Sequence, residues 1–453
     1  MCILFKLLLM QEESVKTHNK IMRHQKFLKN TSWMMFSNIY SMLLSLIVGA
    51  LSARFLGPSN YGLLNYGSSI ISFFTTVSRL GMDSVIVAEM VRNPEKENTY
   101  LGTALTMRLA TSVLSFFGVW GIVLVLEPGN VLLQTVTVLQ AIAIIFQSTE
   151  VLNFWFNAHL EMKYVTITKV IALTLVAAWR ISLLAKEASV EWFAMSASIQ
   201  ALVCGICIVA FFIKKKGMHL KIDFSEGKRI FNSSYHFIIN GLAVTLYTQI
   251  DRIMLGKFVN EEAVGFYAAA STIAVMWEFV PTAIVDSANP LLIGLYKKDI
   301  EKFKEKFQIL LLGITVLGMF VSIAFTVFGK LAIFILYGEE YYAAVPVLAI
   351  LIWSTAFAMI GTARAIWIIS AGKNKYTKYY TMIGAVLNAV LNAMIIPKWG
   401  IVGAACTTLF SQLFIALFAP MLFKETREFT RIYVGCFRKI PEAVKLLKDT
   451  LNK

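Results

Sequence analysis

Charge is scarce in this chain: only 15% of its 453 residues are Asp, Glu, Lys or Arg, against about a quarter in ordinary globular domains. Hydrophobic residues make up 57%, more apolar surface than a water-soluble core could hide. Histidine is sparse as well. His18 and His24 fall in the N-terminal stretch, and His159, His219 and His236 fall near expected cytoplasmic helix ends, so no HExxH metal motif can be written. There is no P-loop, no Rossmann glycine fingerprint and no nucleophile triad. Direct drive by ATP is thereby excluded, and the chain is not expected to be an enzyme. The five cysteines include Cys204 and Cys207 at i, i+3 in one apolar helix with no further ligands nearby in sequence; they read as small buried residues, and no metal or other cofactor is expected. The opening MCILFKLLLMQEE lacks a leading positive charge and a small-residue cleavage site, so no cleaved signal peptide is expected.

What is present is a series of apolar runs, each long enough to cross a hydrocarbon core of roughly 30 Å as a helix. They are too long and continuous for the alternating segments of a membrane barrel. The fold class is all-α, a polytopic membrane protein of about twelve spans in two six-helix lobes. The expected spans are 31–53, 62–87, 101–125, 130–156, 164–185 and 191–213, then 230–255, 264–293, 307–336, 344–370, 377–396 and 401–423. Residues 1–30 form a basic N-terminal tail, 31–213 and 230–423 the two lobes, 214–229 a basic linker, and 424–453 an amphipathic tail expected on the inner surface. No outer loop exceeds about a dozen residues, which disfavours a membrane glycosyltransferase, polymerase or ligase.

Basic residues fix the orientation. With both termini in the cytoplasm, the inner segments carry thirty-one Lys and Arg and the outer loops five, namely Arg54, Lys186, Lys257, Lys330 and Lys398. This distribution accounts for most of the +15 net charge beside an anionic leaflet, and no nucleic-acid partner is expected.

One stretch appears twice. Arg54 to Ser84 aligns without a gap on Lys257 to Ser287 at a constant offset of 203 residues, with seven identities including Gly62/Gly265 and Asp83/Asp286. Each half holds an even number of spans, so both copies enter the membrane in the same direction. This is a parallel internal repeat.

Six cations remain inside the spans: Arg79, Arg108, Lys169, Arg180, Arg252 and Arg364. A charge there costs several kcal/mol unless it faces a partner or water. By direction of travel and the ~1.5 Å helical rise, Arg79, Arg108, Lys169 and Arg364 fall toward the cytoplasmic third, and Arg180 and Arg252 toward the outer side. Such a route suits an anionic solute, while Lys169 and Arg108 could instead snorkel to the inner headgroups. The buried acids are Asp83, Glu150, Asp251, Glu278 and Asp286. Asp83 follows Arg79 by one helical turn, which predicts an internal ion pair. Glu278 stands three residues before Pro281 near mid-membrane, where a coupling carboxylate or a structural hydrogen bond are both open readings. Asn388 and Asn392, at i, i+4, with Thr407 and Thr408 on the next span, could hold a hard cation such as sodium or simply join two helices.

The runs ARFLGPSNYGLLNYGSSI, TQIDRIMLGKFVNEEAVGFYAAAS and IIPKWGIVGAACTTLFSQ resemble bacterial Wzx-type polysaccharide flippases of the multidrug/oligosaccharidyl-lipid/polysaccharide exporter superfamily. The resemblance covers roughly residues 30 to 423. It implies two six-helix lobes around a central cavity in the bacterial inner membrane, and transfer of an undecaprenyl-pyrophosphate-linked oligosaccharide repeat unit to the outer leaflet by alternating access, for O-antigen or capsule assembly. It further implies membrane lipids, a polymerase and chain-length proteins as partners, and sodium or proton coupling. The cations within the spans fit that implied cargo, so the candidate lumen residues are Arg79, Arg108, Arg180, Arg252 and Arg364, with Asp83, Asp251, Glu278 and Asp286 as coupling or polar groups. Asn388, Asn392 and Thr408 match a cation site of some relatives in spacing, with Asn392 where an acid would be expected. A cation-coupled multidrug antiporter of the same superfamily is the alternative.

Overall fold

A computed structural model describes residues 18–439. Those residues are almost all helical, with short 3-10 and π segments, brief turns between helices and no strand among them. Among the described residues, nine helices or merged helices are long and apolar enough to cross a membrane. Two of the nine fold back on themselves at a glycine with positive φ: Gly57 (φ 71°), followed by Pro58, inside α1 (His18–Ser78), and Gly400 (φ 53°), just after Pro397, inside α13 (Lys375–Leu413). The helix α8 (Phe224–Phe258) is 35 residues long and supplies one more traverse despite its lower hydropathy. The traverses therefore come to twelve, in the order expected from the apolar runs, and the chain is a multi-pass membrane protein.

Between α1 and α8 the chain forms α2 (Asp83–Arg92), α3 (Glu97–Leu126), α4 (Val131–Phe146), α5 (Leu152–Ala158), α6 (Met162–Ala185) and α7 (Val190–Lys216). After α8 come α9 (Glu261–Met276), α10 (Phe279–Lys298), α11 (Ile300–Tyr337) and α12 (Ala344–Ser370), and after α13 the short α14 (Ala419–Leu422) and α15 (Arg427–Cys436). Side-chain caps mark several starts: Asn130 accepts from the Leu133 N–H, Asp223 from Ser225 and Glu226, and Asp299 from Lys302. Large apolar side chains such as Leu114, Phe117, Val125, Phe320 and Val327 stay exposed on the helices, as lipid-facing positions must.

Among the described residues the backbone divides into two compact units, 18–268 and 269–439. This division falls inside α9, beyond the expected linker at 214–229, because α8 is tied into the first unit. Its polar residues are matched there, with Ser69 donating to Gln249 Oε1 at 3.0 Å and Thr76 and Thr245 sharing a bond of 2.8 Å. The linker itself is pinned: Lys216 pairs with Glu97, Lys215 with Glu161 at 3.3 Å, and Arg229 with Glu89 at 2.8 Å and Glu226 at 2.7 Å.

In the second unit, α15 docks its apolar face on protein. Phe429, Ile432 and Tyr433 are buried, Phe429 lies 6.1 Å from the Trp367 ring and 6.4 Å from Phe307, and Gln308 donates to the Ile432 carbonyl. The helix expected to lie on the inner surface thus turns that face to its own chain. Helix α1 starts at His18, inside the stretch expected as a tail; residues 1–17 and 440–453 lie outside the described residues.

Candidate functional site

Helix α1 stops at Ser78, short of the continuous span expected to 87. Leu80 (φ 55°) and Gly81 (φ 60°) take the left-handed conformation, and a Cβ at Gly81 would sit 2.7 Å from Phe237 and 2.9 Å from the Ser234 carbonyl. A glycine is therefore required where the break meets α8. Buried Leu80 and Met82 anchor the break in an apolar cluster with Ile86, Tyr100 and Phe156, and the Thr111 hydroxyl donates to the Ser78 carbonyl.

This break presents Arg79 to Glu150. Glu150 lies on a 3-10 segment, Gln147–Val151, inserted between α4 and α5, where the Ser148 and Thr149 hydroxyls donate to the carbonyls of Ile145 and Phe146. Mid-span 3-10 turns commonly mark functional positions. The Arg108 Nη2 donates to Glu150 Oε2 at 3.0 Å, and Arg79 Nη2 approaches the same oxygen at 3.6 Å. Arg108 is 2% exposed, whereas Arg79 is 46% exposed. Two guanidinium groups on one carboxylate leave the cluster with a net positive charge, and the accessible part of that charge is Arg79. A small cavity of about 80 Å³ lies behind Glu150 and is lined by Gln147, Asn153, Thr168, Lys169 and Gln200. An open groove between α2 and α5, lined by Asp83, Arg92, Phe154 and Asn157, runs along the same unit.

The ion pair expected between Arg79 and Asp83 does not form. The helix that would have stacked them is broken between the two residues, Arg79 turns to Glu150, and Asp83 is exposed at the start of α2. Of the five expected cations, the structure brings two together, Arg79 and Arg108. Arg180 is half-buried on α6, and Arg252 follows Asp251 on α8. Asp251 is buried and accepts the Tyr267 hydroxyl proton. Asp286 is exposed on α10, and half-buried Glu278 caps the start of that helix, its carbonyl accepting the Thr282 N–H. Pro281 sits in the first turn of α10, where its missing N–H costs nothing, which explains why the eighth span breaks just before Glu278.

Arg364 has different partners from those of a lumen cation. It is 5% exposed. Its Nη1 donates to the carbonyls of Ile415 (2.6 Å) and Ala416 (3.2 Å) in the π-helical turn Phe414–Phe418, and its guanidinium lies 4.5 Å from the Tyr380 ring and 5.7 Å from Phe429. A π-turn frees carbonyls that must find donors, and Arg364 supplies them. The amide cluster is likewise used in helix packing. Asn392 donates to Asn388 Oδ1 at 3.2 Å, Asn388 donates to Thr408 at 3.3 Å, and Thr407 donates to Asn392 Oδ1. Both amide oxygens of this expected cation site are thus acceptors within it. Among the described residues, no group of three or more His, Cys, Asp or Glu side chains could hold a metal ion.

With this arrangement in view, comparison with known proteins decides the family. The sequence matches the polysaccharide biosynthesis protein family over residues 27–295, more than half of the chain. The chain belongs to that family. A second match, to the MatE family, covers residues 237–394. Among its relatives, the capsular polysaccharide biosynthesis protein CapF of Staphylococcus aureus is 24% identical over 403 residues, covering 87% of this chain and 98% of CapF. The probable flippase AglR of Haloferax volcanii is 27% identical over 171 residues, 37% of this chain and 36% of AglR. The lipid II flippase MurJ, in an inward closed conformation, superposes with a TM-score of 0.69 at 15% identity over 92% of each chain. That likeness establishes a shared fold of twelve helices in two lobes.

Proposed function

We propose that the protein carries a lipid-linked oligosaccharide across the bacterial inner membrane, from the inner to the outer leaflet, by alternating access between its two lobes. The cargo is a repeat unit on an undecaprenyl-pyrophosphate carrier, delivered to surface polysaccharide assembly, where a polymerase and chain-length proteins would act on it. The protein acts as a transporter and not an enzyme, and both termini lie in the cytoplasm.

The observation that carries this reading is the Arg79–Glu150–Arg108 cluster within the expected spans, whose net positive charge is exposed at Arg79. A pyrophosphate seeks fork-shaped cationic donors in a medium of low dielectric constant. An intramembrane charge held ready by its own fold is a functional group by default. Family membership, the CapF and AglR relatives and the MurJ-like fold support the same cargo class.

Reconstitution tests it. Vesicles containing the protein should translocate lipid-linked oligosaccharide, and Arg79→Ala should reduce the rate at least tenfold while the protein remains folded; equal rates for variant and wild type would remove Arg79 from the transport path. The MatE match over 237–394 favours one second reading, a cation-coupled multidrug antiporter. That reading requires export of organic cations driven by sodium or protons, measurable in the same vesicles.

A further inference from the structure

The two arginines share one oxygen of Glu150 unequally, Arg108 at 3.0 Å and Arg79 at 3.6 Å. Arg108 is buried, so Glu150 keeps one partner whether or not Arg79 remains. Beside the carboxylate lies the 80 Å³ cavity, lined among others by Thr168 and Gln147, whose Oγ1 and Oε1 are buried with no hydrogen-bond partner among the described residues. Thr168 is 3% exposed. Lys169 lines the same cavity. The charged and titratable groups facing Glu150 are therefore Arg79 at the helix break, Arg108 on α3, Lys169 on α6 and Cys204 on α7, with Asp83 on α2 near enough to act on Arg108.

We propose that Glu150 is a positioning residue that stands in for the cargo's phosphate between transport events, holding Arg79 while the carrier is empty, yielding it to the incoming anion and taking Lys169 across the small cavity as its replacement counter-ion. The inference rests on the reading that an anionic lipid-linked cargo binds at Arg79. Its physical basis is partial charge compensation. An empty carrier that reorients in the bilayer with an unpaired guanidinium bears a large desolvation cost, and a built-in carboxylate, though shared with Arg108, lowers that cost without contributing to cargo binding. A placeholder competes with cargo, so removing it should strengthen binding and slow the return step. Thr168 and Gln147, each with a buried oxygen that has no hydrogen-bond partner among the described residues, line the same space as Glu150 and Lys169, and a modest shift would let those oxygens accept from the Lys169 ammonium.

The test measures rate against cargo concentration in vesicles, with lipid-linked oligosaccharide extracted from a strain lacking the protein. Glu150→Gln should lower kcat at least tenfold while KM falls or stays constant, and Glu150→Asp should restore most of the rate; this split separates a competing placeholder from a group that binds cargo. A raised KM, or kcat and KM both unchanged, would overturn the assignment. Should Glu150→Gln fail to fold because Arg108 loses its partner, Lys169→Met decides the question: a lower kcat at constant KM is expected, and an unchanged kcat overturns the proposal. Wild-type protein that moves no oligosaccharide at all would refute the flippase reading and this inference with it, whereas active wild type with an indifferent Gln variant refutes only the role of Glu150.

Discussion

Gly62 and Gly265 occupy equivalent places in the two copies of the repeat, and each lies against the other copy's backbone. A Cβ on Gly62 would fall 1.7 Å from the Glu261 carbonyl oxygen, and a Cβ on Gly265 would fall 2.0 Å from the Pro58 carbonyl oxygen. Pro58 and Glu261 are themselves 203 residues apart. The two contacts are thus one contact repeated, as a local two-fold relation between the copies demands, and the repeat inferred from seven identities has a physical cause for its matched glycines. Asn130 reinforces the crossing by donating to Glu261 Oε1 at 2.6 Å.

Alanine at either position should therefore force the helices apart. Gly62→Ala or Gly265→Ala is expected to cost about 1–3 kcal/mol or more through overpacking, read as a lower melting temperature of the purified protein in detergent. Gly121→Ala, where a Cβ meets nothing within 4 Å on α3, is the control and should leave the melting temperature unchanged or slightly higher.

Arg79 and Arg108 should separate function from stability. Arg79 is half exposed and its loss leaves the Glu150–Arg108 pair intact, so Arg79→Ala should fold normally and fail to support surface polysaccharide. Arg108→Ala leaves a carboxylate with only the looser partner, and should destabilise the protein by something of order 3 kcal/mol. Thermal melts alongside polysaccharide blots of the two strains check both expectations.

Arg364→Ala should act through folding. The substitution strips two carbonyls of the π-turn of their donor and removes the cation from between Tyr380 and Phe429, a loss of about 1–3 kcal/mol for each buried group left unmade. Reduced protein in the membrane, in step with reduced polysaccharide, is the expected result; full protein with no polysaccharide would return Arg364 to the cargo path.

The cytoplasmic network should give an acid limb to stability. Hydrogen bonds from Lys96 and then Arg229 hold the Glu226 carboxyl below the usual carboxylate range, and Arg229 is raised by Glu89 and Glu226. A depressed carboxyl contributes stability that is present above its unfolded value, near 4.5, and is lost as pH falls through the lower folded value. Melting temperature should stay flat from pH 7 to about 5 and then decline, with Glu226→Gln lower at pH 7 and less sensitive to acid. Added salt should narrow the difference.

Apolar run length and the distribution of Lys and Arg were sufficient to read twelve traverses, because bilayer thickness leaves few alternatives. The breaks were harder. A helix interrupted at Arg79–Met82 by Leu80 in the left-handed conformation has the same apolar content as an unbroken one, so the expected Arg79–Asp83 pair rested on a turn that does not exist. Glu150 could have been found as the partner: counted along the expected spans, Arg79, Arg108 and Glu150 all lie about 9–12 Å from the cytoplasmic ends, and opposite charges at one depth tend to meet. The partners of Arg364 could not be read, since the π-turn whose carbonyls it bonds leaves no pattern in the sequence. The amides Asn388 and Asn392 were legible as a cluster, and only the direction of their hydrogen bonds distinguishes helix packing from an ion site.

The most direct test of the central claim is the leaflet in which lipid-linked oligosaccharide collects when the protein is absent, read on right-side-out vesicles with a membrane-impermeant lectin or glycosidase. Intact repeat units confined to the inner leaflet, and released to the outer one by restoring the wild-type gene, are the result expected of a flippase. Unpolymerised repeat units already exposed on the outer face without the protein would contradict it, because translocation would then proceed by another route.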